Sequence, residues 1–448
     1  MERAADGMHD VRGPAERALI VGVEIGRPVW SLDDSLAELA QLAKTAGVTV
    51  IGEVSQKLGE PNSATLVGKG KLEEIRQLKE STHYDMLLFD EELSPRQQRS
   101  IEEAINVKVL DRTALILDIF ARHARTREGR LQVELAQLEY RLPRLTRLWT
   151  HLSRQTGGTG GSGVGLRGPG ETQLEVDRRR ARERIGHLKD ELKQVHGQRE
   201  LYRQQRRLAG VPIVALVGYT NAGKSTLLNA LSDAGVLAAD VLFATLDPTT
   251  RQVALPDGRE ILLTDTVGFI QRLPTQLVAA FRATLEEIAE ADLLIHVLDI
   301  THANAAEQAH TVEEVLKELG LQDKPRIVAL NKIDKLIGQE RAAANGAGPA
   351  AEGDIGARLV AELGIPADHV PVSAQRGIGL DRLLTRIEEE LKRNLLSVTV
   401  RIPYNQGDLV AEFHRKGTVV GESYDEIGTV IAGYLPRRLQ AVFAAYIQ

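Results

Sequence analysis

The chain has 448 residues, of which 43% are hydrophobic and 4% aromatic, and it contains no cysteine. That length suits about three domains with aliphatic cores; the missing thiols exclude disulfides, thiolate catalysis and cysteine-ligated metal, and fit a reducing compartment. The net charge of −6 hides a block from Ala121 to Arg207 with 20 Lys and Arg against 10 Asp and Glu, so the rest of the chain carries −16.

In chain order, residues 1–16 mix charge with glycine and proline and read as a flexible tail, without the apolar centre of a signal peptide. No later run approaches the roughly 20 apolar residues of a membrane span, so no stable membrane insertion is expected and the cytoplasm is the expected location. Between 17 and 120, strands at Ala18–Val23, Val48–Ile51, Met86–Phe89 and Val107–Leu110 alternate with helices at Leu32–Thr45, Lys71–Glu80 and Pro95–Ile105. Ser31 is placed to cap the first helix. This alternation predicts an N-terminal α/β domain with a mainly parallel sheet. Gly68-Lys69-Gly70-Lys71 could hold a phosphate at a helix start, but it lacks the P-loop spacing and reads as a surface turn.

Residues 121–207 read as a basic helical hairpin. Leu131, Leu135, Leu138 and Leu142 recur at helical spacing in one arm, as do Ile185, Leu188, Leu192 and Val195 in the other. Pro143 should kink the first arm. A glycine-rich loop, 156–170, forms the tip, with Arg154 and Arg167 flanking its glycines and no carboxylate from His151 to Gly170. A backbone without side chains or negative charge can thread close to packed RNA, whereas an inert linker normally joins domains. The charge block points the same way, toward nucleic acid; its plain alternative is a solvated helical surface.

Residues 208–390 read as a P-loop domain, interrupted by an Ala-, Gly- and Glu-rich insertion at 338–356. A small α+β domain, 391–448, follows, with strands at Ser397–Ile402 and Thr429–Tyr434 and a helix at Leu409–His414.

The chemistry concentrates in the P-loop domain. Gly218-Tyr219-Thr220-Asn221-Ala222-Gly223-Lys224-Ser225 stands between an apolar strand, Ile213–Val217, and a helical run. Its backbone N–H groups can curl around phosphates, Lys224 can reach the β- and γ-phosphates, and the Ser225 hydroxyl can ligate Mg²⁺. Asp265-Thr266-Val267-Gly268 ends a second strand: Asp265 can orient the metal through water, and the Gly268 N–H can sense the γ-phosphate. Asn331-Lys332-Ile333-Asp334 ends a third. The Asp334 carboxylate can accept both guanine N1–H and N2–H₂, which adenine does not offer, Lys332 can lie along the base, and Asn331 can brace the P-loop.

The loop Ser373-Ala374-Gln375 can give the Ala374 N–H to guanine O6. Within Phe243-Ala244-Thr245-Leu246-Asp247-Pro248-Thr249-Thr250, a threonine should bind Mg²⁺ and the γ-phosphate, and chemistry alone does not choose among Thr245, Thr249 and Thr250. Asn221 offers a neutral amide oxygen beside the phosphates, where a monovalent cation such as K⁺ could be held; the plain alternative is a loop brace. Phe269 occupies the position after Asp-x-x-Gly where Ras-like GTPases carry a water-orienting glutamine.

On these residues the chain resembles the HflX GTPases, in the translation-factor-related branch of P-loop GTPases. The carriers are Gly157 to Glu175, ending Gly-Leu-Arg-Gly-Pro-Gly-Glu-Thr-Gln-Leu-Glu; Gly218 to Thr226; Phe243 to Thr250; and Asp265-Thr-Val-Gly-Phe-Ile. The resemblance covers nearly the whole chain. It implies a monomeric cytoplasmic GTPase that takes GTP or GDP, with Mg²⁺ on Ser225 and Thr245 and with Lys224, Thr245 and Gly268 serving hydrolysis. It implies as partner the large (50S) ribosomal subunit and its rRNA, with the glycine-rich tip approaching the peptidyl-transferase region and ribosome splitting as an outcome. The rival readings are a GTPase of large-subunit biogenesis and a GTP-dependent scaffold for a protein or membrane partner.

Overall fold

The computed structural model describes residues 16–26, 30–145, 173–209, 211–232, 242–271, 282–336, 369–393, 395–436 and 439–448. The expected tail before residue 16, the glycine-rich tip at 156–170 and the insertion at 338–356 lie outside the described residues. Contacts divide the chain into two units. One takes the residues up to Ala124 with Val133–His187; the other takes Arg125–Gln132 and most of the chain from Leu188 onward.

In the first unit, β1 (Arg17–Ile25), β2 (Thr49–Leu58), β3 (Met86–Phe89) and β4 (Lys108–Asp111) form a parallel sheet in the order β2-β1-β3-β4. Between them run α1 (Leu32–Thr45), α2 (Lys69–Thr82) and α3 (Pro95–Ile105), followed by α4 (Arg112–His123). The caps follow local chemistry: the Ser31 side chain accepts from the Asp34 N–H, and Ser94 and Gln97 form a reciprocal capping box. Leu19, Val21 and Val23 of β1 pack with Ile75 of α2 and Ile101 and Ile105 of α3. The expected end of β2 at Ile51 is too early. The strand pairs with β1 as far as Leu58, because an edge strand can expose polar Glu53, Ser55 and Lys57 and still complete its ladder.

Periodicity carried no sign of a buried ion network in this unit. Arg112, 2% exposed, donates from Nε and Nη2 to Asp90 Oδ1 at 3.1 and 2.6 Å, from Nη1 to Glu38 Oε2 at 2.6 Å, and from Nη2 to the Ser35 carbonyl at 3.1 Å. Next to it, Asp111 accepts from the Ala114 N–H and from the Tyr140 hydroxyl, both at 2.8 Å.

Two helices contribute to both units, α5 (Arg127–Arg141) and α6 (Gln173–Ala209). They run antiparallel. Arg184 holds Glu134 through two bonds of 2.7 and 2.9 Å, while Glu191, further along α6, lies 3.6 Å from Arg127, further back along α5. A single 3₁₀ turn, Leu142–Arg144, follows α5 and contains Pro143.

In the second unit, β5 (Ile213–Val217), α7 (Lys224–Ser232), β6 (Thr249–Ala254), β7 (Glu260–Asp265), α8 (Arg282–Glu290), β8 (Leu293–Asp299), α9 (Ala305–Glu318), β9 (Arg326–Asn331), β10 (His369–Pro371) and α10 (Leu380–Arg393) follow in order. The six-stranded sheet runs β10-β9-β8-β5-β7-β6, parallel except for β6 at the edge. Alternate residues of β5 enter opposite cores. Val214 and Leu216 meet Leu227 of α7 and Leu383 and Ile387 of α10, whereas Ile213, Ala215 and Val217 meet Ile288 of α8 and Val312 and Leu316 of α9. Burial on both faces is why this strand reads as one continuous apolar run.

The C-terminal strands β11 (Leu395–Pro403), β12 (Thr418–Tyr424) and β13 (Gly428–Pro436) form an antiparallel sheet ordered β11-β13-β12. α11 (Gly407–Lys416) and α12 (Gln440–Phe443) pack on it, with Phe413 and Phe443 edge to face at 5.5 Å. The sequence pattern missed β12, whose ladder is interrupted by a bulge between Val419 and Gly421. Among the described residues no helix is long and apolar enough to cross a membrane.

Arg112→Met should destabilise the first unit by about 3–5 kcal/mol, because it leaves Asp90 and Glu38 buried without their cation. Urea denaturation followed by a probe in this unit measures the loss. A change below about 1 kcal/mol would mean that the network behaves like a solvated surface pair.

Candidate functional site

Four of the expected motifs leave the carboxyl ends of parallel strands, where open α/β sheets bind ligands; Phe243–Thr250 instead leads into the antiparallel edge strand β6. The Gly218–Ser225 loop follows β5, Asp265–Gly268 follows β7, Asn331–Asp334 follows β9, and Ser373–Gln375 follows β10. Thr220, Asn221, Gly223, Lys224, Ser225, Thr226, Phe243, Ala244, Thr245, Thr266 and Gly268 line one cleft.

Two backbone bonds join the first pair of loops. The Thr220 N–H donates to the Phe269 carbonyl at 2.8 Å, and the Phe269 N–H donates to the Gly218 carbonyl at 3.0 Å. Phe269, 3% exposed, packs with Val217, Ile288 and Leu316, so its ring is a core group. The Tyr219 ring is buried and its hydroxyl accepts the Gln271 N–H at 2.9 Å, a tie that the spacing had not suggested.

α7 starts at Lys224, so the N–H groups of its first turn lack helical acceptors and are available to an anion. Lys224 is 6% exposed and donates from Nζ to the Tyr219 and Gly218 carbonyls at 2.8 and 3.1 Å. Burial lowers its ammonium pKa to about 8, against the opposing pull of Asp265. Burial pushes the Asp265 carboxyl up, while Lys224 and the hydroxyls of Ser225 and Thr245 draw it down.

Three oxygens converge beside that ammonium. Ser225 Oγ donates to Asp265 Oδ2 at 2.6 Å, Thr245 Oγ1 donates to the same oxygen at 3.0 Å, and the two hydroxyls are 2.8 Å apart. Asp265 Oδ1 is buried and bonds to no described residue. Hard oxygen donors of this kind suit Mg²⁺. The same geometry separates the three threonines. Thr249 and Thr250 belong to β6, and Thr250 pairs with Thr264 at 2.9 Å across the ladder, so only Thr245 stands with Ser225 and Asp265. Thr266 lines the cleft while donating its hydroxyl to the Leu216 carbonyl at 2.6 Å.

The second pair of loops is braced by one side chain. Asn331 Nδ2 donates to the Ala222 carbonyl at 2.8 Å, and Asn331 Oδ1 accepts the Ala374 N–H at 3.1 Å. Gly223, at φ +97°, leaves room for this, since a Cβ there would lie 2.2 Å from Asn331 Nδ2. Lys332, at φ +67°, donates to the Asn221 carbonyl at 3.0 Å and pairs with Asp299 at 2.6 Å. Asp299, at the end of β8, was not among the expected site residues, although it closes a continuous apolar run. Asp334 Oδ1 accepts from the Ser373 hydroxyl at 2.7 Å.

Some expected side chains are placed otherwise. Leu246, Val267 and Ile333 are buried, Ile333 among apolar residues, and Gln375 is exposed. Asp247, expected beside the nucleotide, turns its carboxylate to the start of α5, where two backbone N–H groups outcompete solvent for it.

Three family models match the chain: "GTP-binding GTPase N-terminal" over residues 33–121, "GTP-binding GTPase Middle Region" over 123–206, and "50S ribosome-binding GTPase" over 213–332. Among curated proteins, the GTPase HflX of Caldanaerobacter subterraneus subsp. tengcongensis is 46% identical over 423 residues, covering 94% of this chain and 92% of that protein. The GTPase HflX of Escherichia coli is 43% identical over 397 residues, covering 89% and 88%. Among solved structures, a GTP-binding protein from Sulfolobus solfataricus in complex with GDP is 27% identical with a TM-score of 0.41, covering 84% of this chain and 99% of that one.

Asn331→Ala should weaken GDP and GTP binding alike, by about 10- to 100-fold, because it leaves buried groups of both loops unpaired without touching a γ-phosphate. Fluorescent-nucleotide titration measures both affinities. A loss confined to GTP would assign Asn331 a different role.

Proposed function

The chain belongs to the HflX family of GTPases, and from that premise we propose that it works in the cytoplasm on the large ribosomal subunit, coupling GTP binding and hydrolysis to the splitting or rescue of ribosomes. The observation that carries the nucleotide chemistry is the convergence of Ser225, Thr245 and Asp265 beside Lys224.

In this reading Ser225, Thr245 and Asp265 would hold Mg²⁺, which when bound would neutralise charge that develops on the β- and γ-phosphates. The remaining work falls to the chain. Backbone N–H groups from Gly218 to Ser225 cradle the phosphates. Lys224 exchanges its bonds to the Gly218 and Tyr219 carbonyls for phosphate oxygens. The Gly268 N–H meets the γ-phosphate, and Asn221, in the cleft, supplies an amide oxygen suited to K⁺. Asp334 takes the guanine N–H groups, the Ala374 N–H takes O6, and Lys332 flanks the base.

The buried Phe269 ring can neither donate nor accept a hydrogen bond to the attacking water. Hydrolysis in isolation is therefore slow, and a partner supplies the missing positioning, worth about 10³–10⁵ in rate in this chemistry. Two features support a ribosomal partner. The matching family model is described as a 50S ribosome-binding GTPase. The basic block includes exposed Arg179, Arg180, Arg182, Arg184, Lys189 and Lys193 on α6, which suits an RNA surface.

Four experiments test the reading. Asp334→Asn should shift nucleotide preference from GTP toward XTP, since the amide no longer offers two acceptors; unchanged preference for GTP would remove Asp334 from base recognition. Gradient profiles of purified ribosomes with the protein and a non-hydrolysable GTP analogue should show separated subunits, with the protein on the large one. Single-turnover hydrolysis should then rise at least about tenfold on adding large subunits. Deleting 157–165 should abolish the ribosome effects and leave intrinsic hydrolysis intact. Binding restricted to precursor particles would indicate biogenesis, and salt-insensitive binding would indicate a protein-only interface.

A further inference from the structure

Asp247 lies two residues beyond Thr245 in the segment Phe243 to Thr250, and its carboxylate is committed away from the cleft. Oδ2 accepts the N–H groups of Arg125 and Thr126, each at 2.8 Å, and Oδ1 accepts from the Thr126 hydroxyl. The same hydroxyl accepts the Gly129 N–H at 3.0 Å, and the Thr126 carbonyl takes the Arg130 N–H at 3.1 Å, so Thr126 caps α5 from within. Asp247 thus supplies from a distant part of the sequence the anion that a helix start favours. Charged acceptors make stronger bonds than neutral ones, and this one carries three.

The helix is shaped to receive it. Residue 129 is a glycine inside the first turn, a position where glycine costs helix stability. A Cβ there would lie 2.4 Å from Asp247 Oδ1. The first turn of α5 also bonds elsewhere: the buried Glu128 holds Arg199 of α6 at 2.9 Å, and Arg199 lies 4.0 Å from Glu287 of α8.

We propose that Asp247 is a positioning residue that ties Thr245 to the first turn of α5, so that a nucleoside triphosphate in the cleft holds that turn and a diphosphate releases it. The inference rests on the reading of Thr245 as a group that serves the metal and the γ-phosphate. The link is short. Thr245 and Asp247 are separated only by Leu246, which is itself buried at 6% exposure, so a shift of the backbone at one is passed to the other. Coupling of this kind is reciprocal: whatever stabilises the α5 turn also favours the triphosphate.

The test uses the full chain with Mg²⁺ and either GDP or a non-hydrolysable GTP analogue. Hydrogen exchange of the amides of residues 125–130 should be several-fold slower with the analogue than with GDP. Asp247→Asn places an amide NH₂ against N–H donors. It should abolish that difference and weaken analogue binding about tenfold while leaving GDP binding within about twofold. Thr126→Val should reproduce the effect, and Thr126→Ser, which keeps the hydroxyl, should restore it. A tie that is merely structural predicts equal protection with both nucleotides and equal losses for both, and either result overturns the proposal. Thr245→Ala separates the two levels. If it lowers the analogue-to-GDP affinity ratio while Asp247→Asn does not, the tie is wrong and the site stands. If Thr245→Ala leaves the ratio unchanged, the reading of Thr245 fails and the coupling fails with it.

Discussion

One side chain, Asn331, bonds at its two ends to the P-loop and to the loop after β10, through the Ala222 carbonyl and the Ala374 N–H. The rest of the site depends on this brace. A phosphate cradle made of backbone must keep a curl that no ladder enforces, and a base pocket made of two loops must keep their spacing. Fixing both loops to the end of β9 meets the two needs with one amide. It also explains the left-handed Lys332 that follows, because only that turn brings Nζ back to the Asn221 carbonyl and Asp299. β9 below it is packed on both faces, so the brace rests on a buried strand.

The loops that line the cleft were legible because their chemistry is local. Gly218 to Ser225 states a P-loop within eight residues, and the loops at Asp265, Asn331 and Ser373 each follow a strand. The choice among Thr245, Thr249 and Thr250 was not local, since it turned on the pairing of β6 with β7. Asp247 misled for the same reason: its partners at Arg125 and Thr126 are more than a hundred residues away, and nothing in its own neighbourhood announces them. β2 and β12 were under-read because edge strands carry polar residues and bulges that dilute the alternating pattern.

The Arg112 network marks a different limit. Glu38, Asp90 and Arg112 are ordinary charged residues in sequence, and a charged residue is normally taken to be solvated. Glu38 on α1, Asp90 just after β3 and Arg112 at the start of α4 all turn inward, and the arginine is satisfied only because these elements bring both acids to it. A core of this kind tolerates no single loss, whereas the aliphatic core around Val21 and Ile101 can adjust its packing.

α6 continues without a break for 37 residues, about 55 Å at 1.5 Å per residue. Its final stretch belongs to the unit that holds the cleft, and its first residue, Gln173, comes three residues after Gly170 in the sequence. A helix of that length acts as a lever arm. A tilt of about 5° at one end displaces the other by about 5 Å, more than the diameter of a water molecule.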